Sequence, residues 1–222
     1  MCGRYSLGVD TDRLIAEFGL DLLTAEHEPR YNIAPTQEVP VVVAAPDGLR
    51  LGTLRWGLVP ARSAGPGSKP LINARSETVD RRASFADSFR RRRCWVPADG
   101  FYEWRAARGG RRQPFHIRPA DGRPFAFAGI WDRWSGDGQE LVSCAILTTA
   151  PNDAIRPLHD RMPVILTPEN RSTWLDPHAT LESLQALFRP YSDDLIIRPV
   201  STRVNRGDVD DASCIEAIED QD

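Results

Sequence analysis

Cysteine stands at position 2 of this 222-residue chain, and that placement opens a specific chemistry. Methionine aminopeptidases trim Met1 when the next residue is small, so the processed chain is expected to begin with a free Cys2. Such a terminus is a 1,2-aminothiol. Its α-amine titrates near about 7.7 to 8.0 and is partly neutral at physiological pH, whereas a lysine at about 10.4 is nearly all protonated. The thiol, at about 8.5, is a second nucleophile two carbons away. An aldehyde meeting this pair can form an imine and then close to a five-membered thiazolidine.

Three further segments carry groups that could serve such a reaction. In Leu71–Thr78 an amide, Asn73, and a guanidinium, Arg75, lie two residues apart. They share a side if the segment is extended, and otherwise belong to a polar loop. In Pro97–Trp104 the carboxylate of Glu103 has Phe101, Tyr102 and Trp104 as neighbours. Desolvation by those rings would lift its pKa into the acid/base range, unless Glu103 is an edge residue with its head in water. In Leu158–Pro163 a proton-shuttling histidine, His159, precedes Asp160 and Arg161. The four cysteines and four histidines form no Cys-x-x-Cys and no helical His pair, so no metal site is expected. Cys94 and Cys144 lie inside apolar runs and read as small core residues. No Gly-x-Gly-x-x-Gly or phosphate loop is present, and no cofactor is expected.

Composition is that of a folded globular chain, 41% hydrophobic and 27% charged. No window approaches the roughly 18 apolar residues of a membrane span, and the N-terminal MCGRYSLGVD has no basic region followed by an apolar run, so a cytoplasmic protein is expected. Charge is unevenly spread. Residues 207–222 hold seven acids and no base, so the net charge of −3 becomes +4 over residues 1–206. Lys69 is the only lysine; arginines cluster at Arg90–Arg93 and at Arg105, Arg108, Arg111 and Arg112. Either cluster could bind phosphate through the guanidinium fork, or form a solvated face.

The elements that must position these groups can be read from turns and periodicity. Asp10 caps a short helix with Leu14, Ile15 and Phe18 at helical spacing and Gly19 as its stop. Val39–Ala44 and Leu49–Trp56 form a hairpin across Pro46-Asp47-Gly48, and Ser63–Lys69 is a loop. Ser84–Arg91 is helical. Strands follow at Cys94–Pro97, Phe101–Arg105, Pro114–Arg118, Phe125–Trp131 and Leu141–Thr148, with turns at Asp121-Gly122 and Gly136-Asp137-Gly138. Two helices begin at Thr167-Pro168 and Thr180, the second carrying Leu181, Leu184, Leu187 and Phe188, before a last strand at Leu195–Val200. Hairpin succession without βαβ alternation predicts an α+β domain on antiparallel sheet, not a Rossmann fold.

Taken in order, Met1–Tyr5 (MCGRY), Tyr31–Pro35 (YNIAP), Trp56–Pro60 (WGLVP), Asn73–Thr78 (NARSET), Ala98–Trp104 (ADGFYEW) and His159–Pro163 (HDRMP) resemble the SOS response-associated peptidase family, the abasic-site processing proteins. The resemblance runs from residue 2 to about 205. It implies a barrel-like antiparallel domain over 2–206 with a few flanking helices, leaving 207–222 as an acidic tail. It also implies a protein that crosslinks itself to abasic sites in single-stranded DNA, shielding them from cleavage and error-prone bypass. On that resemblance Cys2 is the nucleophile that forms the thiazolidine, and Asn73 holds its amine or the sugar. Glu103 assists ring opening and, in the slow reverse reaction, attack on the crosslink. His159 protonates the sugar oxygen and assists β-elimination. Arg4, Arg75 and Arg161 line the phosphate path, Thr148 belongs to the pocket, and Trp56 and Arg62 belong to the DNA-binding set. Relatives commonly carry a tryptophan shortly after Trp-Gly-Leu-Val-Pro, where this chain has Arg62, whose guanidinium plane can also stack on a base. The implied partner is single-stranded DNA with abasic sites, bound by a monomer with no obligate protein partner, in the cytoplasm with the nucleoid.

Three other readings share parts of this pattern. Class II glutamine amidotransferase domains also begin Met-Cys-Gly, but that similarity ends after three residues. A thiol peptidase would take the family name literally; the only cleavage expected is removal of Met1, by an aminopeptidase or by the protein itself. A noncovalent single-strand binder would use the arginines and aromatics alone.

Overall fold

A computed structural model describes residues 2–65, 70–106 and 112–220. The first half contains β1 (Tyr5–Leu7), α1 (Thr11–Phe18), β2 (Leu22–Leu23), β3 (Arg30–Ile33), β4 (Glu38–Ala45), β5 (Gly48–Trp56) and β6 (Asn73–Arg75). Next come α2 (Ala86–Arg91), β7 (Arg93–Ala98), β8 (Gly100–Ala106), β9 (Arg112–Pro119), β10 (Phe125–Gly136) and β11 (Gln139–Thr149). The chain then runs through β12 (Met162–Pro163), β13 (Ile165–Leu166), α3 (Pro168–Leu175), α4 (Leu181–Ala186) and β14 (Leu195–Pro199). Residues 66–69 of the expected loop, and Arg108 and Arg111 of the second arginine cluster, lie outside the described residues.

The strands form two sheets. The smaller runs β14-β9-β8-β1-β3, with every pairing antiparallel. The larger runs β12-β11-β10-β7-β4-β5-β2, with β13 beside β10 and β6 beside β11. Parallel pairing of Arg55 and Trp56 in β5 with Ser143 and Cys144 in β11 joins two members of that path. Strands β11, β10, β7, β4 and β5 therefore close a barrel and lose their open edges. This is a single α+β domain on mainly antiparallel sheet, as the hairpin succession predicts.

Local chemistry explains the framing elements. Asp10 accepts the backbone N–H of Arg13 at 3.0 Å and caps α1, which turns Leu14 and Phe18 inward. Asp137 and Gly138 both have positive φ, the geometry of a tight two-residue hairpin loop between β10 and β11. The Arg90–Arg93 run divides between interior and surface. Arg93 is buried, its guanidinium donating to the carbonyls of Phe89, Arg90, Trp174 and Asp176, so it fastens α2 and α3 to β7. Arg92 pairs with Asp132 at 3.2 Å, while Arg90 and Arg91 are exposed. Cys94 and Cys144 are fully buried in the main core with Trp56, Phe101, Phe127 and Trp174.

The smaller sheet is covered on both faces. Phe101 and Ile117 point into the main core, whereas Tyr102 joins Val200, Val204 and Cys214 in a second cluster. Segment 207–220 is part of that outer layer. The Asp210 carboxylate accepts the backbone N–H groups of Tyr31 and Asn32 at 2.5 and 2.8 Å, and Arg30 Nε at 2.9 Å.

Candidate active site

Strand β1 brings Cys2 to Glu103. Tyr5 pairs with Phe101 of β8, and the Tyr102 N–H donates to Arg4 O at 3.0 Å. A buried polar group fixes β1 in place. Ser6 Oγ donates to Asp99 at 2.6 Å, Gly8 N–H donates to the other Asp99 oxygen at 2.5 Å, and His116 Nε2 lies 2.9 Å from Ser6 Oγ. Burial pushes the His116 pKa down to about 4, so the ring is neutral, and with Ser6 donating to Asp99 it is Nε2–H that donates to Ser6. None of these three residues is predicted from sequence, although Asp99 lies inside one of the recognised segments.

Cys2 is fully buried, with Sγ 3.8 Å from Arg4 O. Burial pushes its thiol far above the ordinary range, and the negative charge of Glu103 adds to the shift. Glu103 is itself only 3% exposed, and its Oε1 is buried without a hydrogen-bond partner among the described residues. Desolvation, reinforced by the charge of Asp160, pushes this carboxyl up to about 7. The source of that desolvation differs from the sequence reading. Alternation along β8 leaves Tyr102 and Trp104 on the opposite face, and Glu103 shares its own face with Phe101 and with Phe115, its partner across the ladder.

Asn73 arrives on the short strand β6. Both β5 and β6 run parallel to β11: β5 pairs as far as Cys144, and β6 takes over at Ile146, opposite Asn73, with Arg75 opposite Thr148. Gly57 permits the change of strand, because its φ of 133° favours glycine and a Cβ there would lie 2.7 Å from Pro70. Asn73 Nδ2 donates to the Cys2 carbonyl at 2.9 Å, while Oδ1 is buried without a partner among the described residues. The segment is thus extended, not a polar loop.

His159 is half-buried in the turn before β12. Its Nδ1 accepts the Arg161 N–H at 2.9 Å when it carries a lone pair and faces Asp160 Oδ1, also at 2.9 Å, as a donor when the ring is protonated. Burial lowers its pKa, which favours the neutral form.

The expected DNA-binding residues are dispersed. Arg161 is bidentate to Glu77 at 2.5 and 2.9 Å and donates to Thr148 O at 2.6 Å; the pair holds the Glu77 carboxyl below its ordinary range. Glu77 is missed by the sequence reading, though it stands two residues after Arg75 within the same segment. Arg75 is exposed. Arg4 Nη1 is tied to Asn32 Oδ1 at 2.6 Å and Val204 O at 2.7 Å, so this side chain braces β1 against the segment after β14. Thr148 is fully buried with an unpartnered Oγ1. Trp56 is a core residue: it is fully buried, Nε1 donates to Ile72 O at 2.9 Å, and Tyr5 packs edge-on at 5.4 Å. A ring without an exposed face offers no stacking surface. Arg62 does, with a side chain 92% exposed and 3.8 Å from Asp87. Among the described residues no group of three His, Cys, Asp or Glu could hold a metal ion, and no helix is long and apolar enough to cross a membrane.

The chain that carries this buried cysteine and carboxyl is similar to known proteins in sequence and in fold. The family model described as "SOS response associated peptidase (SRAP)" matches residues 1–207, and this chain belongs to that family. It is 42% identical over 212 residues to abasic site processing protein YoqW of Bacillus subtilis (strain 168), covering 92% of this chain and 94% of that protein. Abasic site processing protein YedK of Escherichia coli (strain K12) is 33% identical over 180 residues, 79% of each chain. A crystal structure of a protein from Bacteroides thetaiotaomicron superposes with a TM-score of 0.87 at 24% identity, over 98% of this chain and all of that one, a likeness of fold.

Proposed function

We propose that this chain processes abasic sites, as the names of its relatives state for them, and that it does so in single-stranded DNA by capturing the ring-opened sugar aldehyde on Cys2. Removal of Met1 frees the α-amine. The amine adds to the aldehyde carbon, the resulting carbinolamine loses water to give an imine, and the thiol adds across the C=N bond with its proton passing to nitrogen. One water is released and a thiazolidine is closed.

Each neighbouring group has a place in that sequence. Glu103, with a pKa near neutrality, takes a proton from the attacking amine and returns it to the departing hydroxyl. The same carboxyl serves the reverse reaction, opening the ring. His159, in its imidazolium form, gives the Nε2 proton to the sugar oxygen as the furanose opens, while the proton of the C1′ hydroxyl passes to the Glu103 carboxylate. Asn73 already holds the Cys2 carbonyl, and its unpartnered Oδ1 is available to the amine. Arg75 and Arg161 hold the flanking phosphates. The chemistry requires no cofactor.

The observation that carries this reading is Glu103: buried, with an unpartnered oxygen, titrating near 7 beside Cys2. The same neighbourhood disfavours a glutaminase or thiol peptidase. Those enzymes need a thiolate, prepared by a lowered pKa or an adjacent cation, and here burial and Glu103 both raise the thiol. Thiazolidine closure begins at the amine and needs no free thiolate.

The test is an adduct that survives boiling in SDS. Wild type incubated with an abasic single-stranded oligonucleotide should shift on a denaturing gel and Cys2→Ala should not, while Cys2→Ser should give at most a labile imine or oxazolidine. If Cys2→Ala crosslinks as well as wild type, the assignment is wrong.

A further inference from the structure

Segment 207–220 ends beside the face of β8 that carries Glu103. Alternation along the strand puts Arg105 on the same face, two residues on. Its guanidinium lies over the ring of Phe115, 4.8 Å from the centroid, and Phe115 is the cross-strand partner of Glu103. Arg105 Nη2 donates to Asp220 Oδ1 at 2.7 Å. The acidic segment reaches this point by a fixed route: Asp210 binds the β3 backbone, Cys214 is fully buried, Ala217 pairs with Val200, and Ile218 N–H donates to Pro199 O at 2.9 Å. After Ile218 the described chain is exposed, and Glu219 and Asp220 are held by no backbone pairing among the described residues. An exposed carboxylate is therefore delivered by an anchored strap onto Arg105, on the strand that carries Glu103.

We infer that Arg105 is a further contact for a DNA phosphate and that Asp220 occupies it as a competing anion, leaving when a single strand crosses the β8 face. This rests on the proposed DNA target. A carboxylate and a phosphate offer the same paired oxygens to a guanidinium, and Phe115 keeps the Arg105 plane oriented for either. The consequence is a threshold for capture, because a strand must displace Asp220 before it gains this contact.

Fluorescence polarisation with an undamaged single-stranded oligonucleotide reads binding without the chemistry. Asp220→Asn should tighten binding about 1.5- to 5-fold, the range for an exposed charge pair. Asp208→Asn is the control: it removes the same charge from a surface pair with Arg206 at 2.7 Å, and should have less than half that effect. Arg105→Gln should weaken binding, lower the slope of log affinity on log salt by about 0.7, and erase the effect of Asp220→Asn in the double variant. Equal effects of Asp220→Asn and Asp208→Asn, or an unchanged salt slope in Arg105→Gln, would overturn the inference. Wild type is assayed alongside with an abasic oligonucleotide. An adduct together with indifferent Asp220 and Arg105 variants sinks this inference alone, whereas no adduct and no salt-dependent binding sinks the DNA reading beneath it.

Discussion

Replacing Glu103 by Gln keeps the shape of the side chain and removes its charge, and the effect on stability depends on pH in a way the site dictates. The unfolded carboxyl titrates near 4.5 and the folded one near 7. Below about pH 4.5 both states are protonated and Glu103 costs nothing. Between 4.5 and 7 the unfolded chain has lost the proton that the folded chain retains, so stability falls as pH rises. Above 7 the full cost persists, at about 1.4 kcal/mol per pKa unit, or about 3 kcal/mol. Glu103→Gln escapes this cost. It should melt roughly 6 to 12 °C above wild type at pH 8, from about 2 to 4 °C per kcal/mol for a chain of this size, and level with it at pH 4. His116 works in the opposite direction, lowering stability as pH falls from about 6.5 to about 4, but it is common to both proteins and cancels in the difference. Melting curves by circular dichroism across pH 4 to 8 provide the assay. A difference that does not vary with pH, or a wild type more stable than the variant at pH 8, would refute the buried-carboxyl reasoning. In crosslinking, the same variant should be slower by about 10² to 10⁴, the usual contribution of a general acid or base.

Trp56→Ala should cost about 3 to 5 kcal/mol in chemical denaturation, because the residue is a fully buried core ring and not a base-stacking surface. Gly100→Ala would bring a Cβ to 2.1 Å from His116 Nε2, so it should break the Ser6 contact, lower the melting temperature and slow crosslinking by loosening β1. Arg161→Ala should lower the salt slope of single-strand binding by about 0.7. It should also let the Glu77 carboxyl titrate higher, which an NMR pH titration would detect.

Long elements were legible in the sequence because their signals are local. The α1 cap at Asp10, the β4–β5 hairpin and the β10–β11 turn each follow from residues within a few positions of one another. Short strands were not. β1, β3, β6 and β12 have two to four residues, too few for alternation to register, and each exists only because a distant partner supplies its hydrogen bonds. These strands position the site, so its composition was readable while its geometry was not. Cys2, Asn73, Glu103 and His159 could be named from their motifs. That Asn73 would hold the Cys2 carbonyl, that Tyr102 and Trp104 would turn away from Glu103, and that Trp56 would sink into the core depend on pairing across the barrel. Ser6 and His116, 110 positions apart, leave no sequence signal that joins them. The acidic segment shows the same limit: seven acids announce charge, but Asp210 on β3 and Asp220 on Arg105 are visible only in three dimensions.

Intact mass spectrometry of the protein incubated with an abasic single-stranded oligonucleotide tests the central proposal most directly, because one spectrum reports Met1 removal and the covalent stoichiometry together. A species equal to the chain without Met1, plus one oligonucleotide, less one water, is expected in wild type, absent in Cys2→Ala and scarce with fully paired duplex. A spectrum holding only free protein and free oligonucleotide, or an adduct of the same mass in Cys2→Ala allowing for the substitution, would contradict it.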